Sequence, residues 1–163
     1  MSKIMVGCDF SDYSKETLEY AASLAEKLQA ELIIANIINQ RDVDTILSVA
    51  DKQFDRTVEK DVKKLADDYI NRLTEERTLL MDKLIEEISI AHLRIRKVIR
   101  VGVPFQELIR AIENEGADLM VMGPKGRGNL AEVLFGSNAE RLFRRCPIPL
   151  LSIRSKKNGR ILY

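Results

Sequence analysis

The chain has 163 residues, 45% of them hydrophobic and 31% charged, which is the make-up of one ordinary globular domain and excludes a disordered segment. Its net charge of +1 points to neither nucleic acid nor a membrane surface, and its longest apolar runs are too short to span a bilayer. The charge is unevenly spread. Residues 41–91 hold 13 acidic and 9 basic side chains, whereas residues 123–163 hold 9 basic and 2 acidic ones. Two distant cysteines, Cys8 and Cys146, sit in apolar settings without a CxxC or Cys/His spacing, and read as small buried hydrophobes in a reducing cytoplasm. The run before Asp9 is too short for a signal sequence.

In chain order, Lys3 to Cys8 reads as a short buried strand that ends at Asp9-Phe10-Ser11. Leu18, Ala21, Ala22, Ala25 and Leu28 then fall at helical spacing, with Ser14 in position to cap that helix. Glu31 to Ile38 is a second buried strand. Residues 42–91 are helical in character, with an apolar stripe through Phe54, Val58, Val62, Leu65, Tyr69, Leu73, Leu80, Leu84 and Ile88 that admits Arg77 in one slot. A single helix over 52–90 would measure roughly 58 Å, so a break is expected near Leu73 to Arg77, capped by Thr74. Asp42 to Ala50 reads as a looser excursion or a separate short helix.

The second half repeats the rhythm. Leu93 to Val101 is a strand with alternating basic residues, suited to an edge. Pro104 opens a helix that closes at Gly116, and Ala117 to Met122 is a fourth, buried strand. A helix over Ser137 to Arg145 and a last strand over Ile148 to Ile153 follow. Pro149 cannot donate to a ladder, which favours an edge for that strand. Five strands alternating with helices give an α/β fold, an open parallel sheet with helices on both faces.

Four of the eight glycines lie between Gly123 and Gly136, in GPKGRGNLAEVLFGS. Glycines let backbone N–H groups turn inward as a nest for an anion, and Gly136-Ser137 opens a helix whose free N–H groups favour a phosphate. Ser137 adds a hydroxyl, while Lys125 and Arg127 add positive charge. The loop follows a buried strand at its carboxyl end, where open α/β sheets take their ligands; if the first and fourth strands are neighbours, Asp9 faces it. A flexible surface turn with a capping serine is the plainer alternative. Neither GxxxxGK[ST] nor a GxGxxG opening the first helix is present.

These residues resemble the universal stress protein family and its ATP-binding branch, which carries G-x2-G-x9-G-[S/T]; here Gly123, Gly126, Gly136 and Ser137 stand at those spacings. The strand end before Asp9-Phe10-Ser11, the VGVPF run, ADLMVMG and the closing RCPIPLL agree, so the resemblance spans residues 1–154 as one domain, followed by a basic tail over 155–163. It implies a Rossmann-like sheet, of the adenine nucleotide alpha hydrolase type, in the order 3-2-1-4-5. It also implies ATP across the 1/4 switch point, with Mg²⁺ or Mn²⁺ on its phosphates. By position, Gly7 and Asp9 would approach the adenosine, and the Ile37 backbone the adenine. Gly123, Lys125, Gly126 and Arg127 would surround ribose and phosphates, and Gly136, Ser137 and Asn138 the phosphate tail. Asn138 stands where a small apolar residue is common, and Pro124-Lys125 replaces a Ser-His or Ser-Arg pair. The family also implies a homodimer through the last strand, about Ile148 to Ile153.

No residue is an evident water-orienting base. His92 reads as a surface residue, and the pairs Asp67-Asp68 and Glu86-Glu87 as solvated faces. The expectation is a cytoplasmic nucleotide-dependent regulator in stress response, with slow hydrolysis or none. The alternative is an interaction module of the same fold that holds no nucleotide, with the long helical segment as its working surface.

Overall fold

In a computed structural model the described residues are 2–51, 59–123 and 137–153, with backbone alone described at 12, 49–51, 59–62, 137 and 138. The strands are β1 (Lys3–Gly7), β2 (Glu31–Asn39), β3 (Ile95–Gly102), β4 (Leu119–Met122) and β5 (Leu150–Ser152). The helices are α1 (Asp12–Leu28), α2 (Gln40–Asp51), α3 (Glu59–Glu87), α4 (Pro104–Glu115) and α5 (Ser137–Arg145). The strands form one parallel sheet in the order β3-β2-β1-β4-β5, as expected from the sequence. Runs such as ELIIANII are buried along both faces, because helices cover the sheet front and back.

The two faces have separate cores. Leu18, Ala21 and Ala25 of α1 and Met81 and Ile85 of α3 pack on Ile4, Val6, Leu32 and Ile34. On the other face Ala111 and Ile112 of α4 and Ala139 and Leu142 of α5 pack on Met5, Ile33 and Met120. Residues 4, 6, 32 and 34 therefore face one way and 5 and 33 the other, the period-2 alternation of a strand. Arg141 and Arg145 stack their guanidinium groups over the Phe105 ring, 5.3 and 5.9 Å from its centroid, and tie α5 to the start of α4.

β3 and β5 are the edges, which explains the basic residues of the one and the place of Pro149 beside the other. Pro149 precedes β5 rather than lying within it; its carbonyl accepts from the Met120 amide at 2.9 Å. α4 begins at Pro104 and closes on Gly116 at φ 63.

The expected break at Leu73 to Arg77 does not occur. α3 runs unbroken for 29 residues, about 43 Å at 1.5 Å per residue. No glycine or proline interrupts it. The Thr74 hydroxyl donates to the Ile70 carbonyl one turn back at 2.8 Å, which is the bond of a threonine inside a helix and not of a cap. The excursion before it is the separate helix α2. The apolar stripe also differs from expectation: Met81 and Ile85 carry the burial, while Leu65 is 50% exposed. Leu84 and Ile88 pack against the core as the spacing predicts. Phe54 and Val58 lie outside the described residues.

Candidate functional site at the carboxyl ends of β1 and β4

β1 leads through α1 to β2 on one side, and β4 leads through α5 to β5 on the other. The two crossovers leave in opposite directions from neighbouring strands, and the gap between them at the carboxyl ends is the switch point where such sheets take ligands. Val6 pairs with Val121. Cys8 and Gly123 each follow that pair by two residues. Gly7 closes β1, Asp9 follows it, and Ile37 stands near the end of β2 opposite Arg100. These four predicted residues, Gly7, Asp9, Ile37 and Gly123, thus share one end of the sheet. Ser137 and Asn138 are the first two residues of α5. Lys125, Gly126, Arg127 and Gly136 lie outside the described residues.

The loop from β1 to α1 is tightly built. The Cys8 amide donates to the Ala35 carbonyl at 2.8 Å, and the Cys8 carbonyl accepts from Asn36 Nδ2 at 2.7 Å. Both backbone groups of Cys8 are therefore fixed to β2. Asp9 Oδ1 accepts from the Ser11 amide at 3.0 Å and from the Ser14 hydroxyl at 2.7 Å, and Ser14 Oγ accepts from the Asp9 amide at 3.1 Å. Ser14 is thus not the helix cap expected from the spacing. α1 starts at Asp12 with Ser11 as its N-cap residue, and the buried Ser14 serves Asp9 instead. Between them Phe10 adopts φ 60, a left-handed conformation uncommon for a residue with a side chain. Its ring lies under the Arg77 guanidinium of α3, 5.3 Å from the ring centroid. The slot that Arg77 takes in the apolar stripe is explained by this stacking.

Phe10, Ser14 and Asn36 went unread as site residues. Asn36 did leave a signal: it is the one polar residue inside an otherwise apolar strand run, and it is 3% exposed. Phe10 left none, because nothing in its identity announces a positive φ.

Burial pushes the Cys8 thiol above its ordinary pKa, so Cys8 is a neutral packing group. His92 is a surface residue, with Nε2 3.2 Å from Glu26 Oε1. Asp67, Asp68, Glu86 and Glu87 are exposed, as expected. Among the described residues no three His, Cys, Asp or Glu side chains are grouped to hold a metal ion. Nor, among them, is any helix long and apolar enough to cross a membrane.

The residues present suit a polar ligand with an anionic end. Asp9 can meet hydroxyl or amino hydrogens, the start of α5 can meet an anion, and the Ser11 Oγ is buried with no hydrogen-bond partner among the described residues. A cleft of about 210 Å³ beside Phe10 and Ser11, bridged by Lys15 and Glu87 at 3.4 Å, is too small to enclose a nucleotide. It lies between the β1–α1 loop with the start of α1 and the last turns of α3.

The fold is that of an open parallel α/β protein whose crossovers part between β1 and β4. The model of the universal stress protein family matches residues 1–154, and the chain belongs to that family. It is 27% identical over 162 residues to universal stress protein MJ0577 of Methanocaldococcus jannaschii, with 96% of each chain covered. The solved structure of MJ0577 superposes with a TM-score of 0.77 over 95% of this chain and 96% of that one, at 26% identity. A universal stress protein of Archaeoglobus fulgidus in complex with dAMP has a TM-score of 0.60 at 16% identity, covering 94% and 98% of the two chains. A universal stress protein in complex with cAMP has one of 0.57 at 22% identity, covering 95% and 98%. These last two likenesses establish the fold.

Proposed function

We propose that this protein binds an adenine nucleotide, ATP with Mg²⁺ or Mn²⁺, across the carboxyl ends of β1 and β4, and acts as a nucleotide-dependent regulatory homodimer of the stress response in the cytoplasm. The observation that carries the reading is the junction itself. Gly7 and Asp9 stand on one side of the switch point, and Gly123 stands on the other, at the head of a segment that carries G-x2-G-x9-G-S into the start of α5. Two family members solved with dAMP and cAMP support the adenine part of it.

In this reading Asp9 takes ribose hydroxyls and the Ile37 backbone meets the adenine. Gly123, Lys125, Gly126 and Arg127 surround ribose and phosphates, and Gly136, Ser137 and Asn138 hold the phosphate tail. The cation rides on the phosphates and water, as Mg²⁺ commonly does. The homodimer forms through the last strand. β5 is a three-residue edge strand, half-buried throughout. Hydrolysis, where it occurs, resets the switch; turnover above background that Lys125→Ala or Asp9→Ala abolishes would establish it.

The experiment is direct: denature the purified protein, identify the released small molecules, and titrate ATP with Mg²⁺ by calorimetry. Stoichiometric adenine nucleotide supports the reading. No released nucleotide and no binding heat would favour the interaction module, to which the half-exposed Leu65 and Leu79 of α3 lend a surface.

A further inference from the structure

We infer that Arg77 of α3 is a positioning residue for the β1–α1 loop, and that through Phe10 it couples the long helix to whatever ligand sits at Asp9. The inference rests on the proposed nucleotide site for its functional half, and on the loop geometry alone for the other half.

Three of the four residues that carry the chain out of β1 are secured by hydrogen bonds. Cys8 is fixed to β2 through both backbone groups, and Asp9 and Ser11 are closed by the Asp9 carboxylate and the Ser14 hydroxyl. Phe10 is the pivot between them. Its φ of 60 must be held by its surroundings, since a side chain disfavours that region. What holds it is packing: the ring lies against the α1/α3 core, with the Arg77 guanidinium 5.3 Å from its centroid. A cation over a ring face is attracted by the ring quadrupole, more strongly when both are shielded from water, and both residues are half-buried.

The position of Arg77 along α3 gives this contact its consequence. Met81 and Ile85, one and two turns further on, anchor the helix in the core, whereas Leu65, three turns before it, is half exposed. Arg77 is where α3 passes from its buried end to its exposed end. A ligand that stiffens the Asp9 loop therefore stiffens Phe10, and through it the residues of α3 around Arg77. Read in the other direction, a partner that displaces α3 releases Phe10 and loosens the ligand.

Two measurements test this, on the full chain. The first needs no nucleotide: amide hydrogen exchange at Asp9, Ser11 and Ser14 in wild type, Arg77→Met, Arg77→Lys and Phe10→Leu. Arg77→Met is expected to speed exchange there about tenfold without accelerating β1 and β2, with Arg77→Lys falling between it and wild type. Unchanged exchange, or equal acceleration through the whole sheet, would overturn the positioning role. The second is ATP affinity with Mg²⁺. Arg77→Met and Phe10→Leu should each weaken it about tenfold at nearly unchanged Tm, and the double variant should be no weaker than either single one. Additive effects, or wild-type affinity in Arg77→Met, would overturn the coupling. If wild type binds no ATP, the nucleotide reading and the coupling to it fall together, while the exchange experiment still decides whether Arg77 holds the loop.

Discussion

The Asn36 side chain donates through Nδ2 to the carbonyl of Cys8 at 2.7 Å, where β1 has ended and β2 still runs. This bond extends the β1–β2 pairing by one residue beyond the strand and determines where Asp9 begins. Removing it leaves a buried carbonyl unpaired, which costs about 1–3 kcal/mol. Asn36→Ala should lower stability by that amount in denaturant unfolding and weaken any ligand at Asp9. Unchanged stability would show that another donor reaches the Cys8 carbonyl.

A second relationship fixes the end of β3. Glu107 is buried, with Oε2 2.7 Å from the Arg100 Nε and Oε1 bonded to Arg110. Gly102 has φ 154, and a Cβ there would stand 2.6 Å from the Glu107 Cγ, which two arginines keep from moving away. Gly102→Ala should therefore destabilise the protein by about 1–3 kcal/mol, through strain and crowding together. Gly7→Ala is the control, because its Cβ would meet only the flexible end of Met120 at 3.3 Å. It should cost less than Gly102→Ala in the same thermal or denaturant scan.

The same carboxylate gives a pH dependence. The bond from Arg100 holds the Glu107 pKa below its ordinary value, against the opposing effect of burial. A carboxylate with a depressed native pKa contributes stability that is complete above its unfolded pKa and lost as pH falls through the native one. Wild type should accordingly lose stability below pH 4.5, the ordinary glutamate value. Glu107→Gln should be less stable at neutral pH, and the gap between the two should narrow on acidification. A gap independent of pH would remove Glu107 from the acid response.

Burial raises the pKa of both thiols, but Cys8 is buried and Cys146 only partly so. Access therefore favours Cys146. Alkylation of the native protein followed by peptide mapping should label Cys146 first and Cys8 only as the protein opens. Equal rates would mean that the end of β1 opens far more often than its hydrogen bonds imply.

Much of this was legible in the sequence, and the exceptions have physical causes. The apolar runs gave the strands, and the Pro104/Gly116 pair gave α4 to the residue, since fixed φ at one end and a left-handed turn at the other leave little choice. The break that its length suggests is absent from α3. The helix has no breaker between Leu73 and Arg77, and its exposed end need not be covered. Spacing alone makes Ser14 a cap, whereas the Asp9 carboxylate, five residues earlier, claims its hydroxyl. The positive φ of Phe10 follows from tertiary packing under Arg77, which no local pattern encodes. The glycine spacing from Gly123 to Ser137 remains a sequence argument, joined to the fold at its two ends.

The central claim is tested most directly by titrating ATP and Mg²⁺ into wild type and Gly126→Val by calorimetry, with circular dichroism as the check that both are folded. One nucleotide per chain is expected for wild type and none for a fully folded Gly126→Val. Equal binding by the two would show that the glycine segment does not hold the phosphates, and no binding by a folded, nucleotide-free wild type would contradict the account outright.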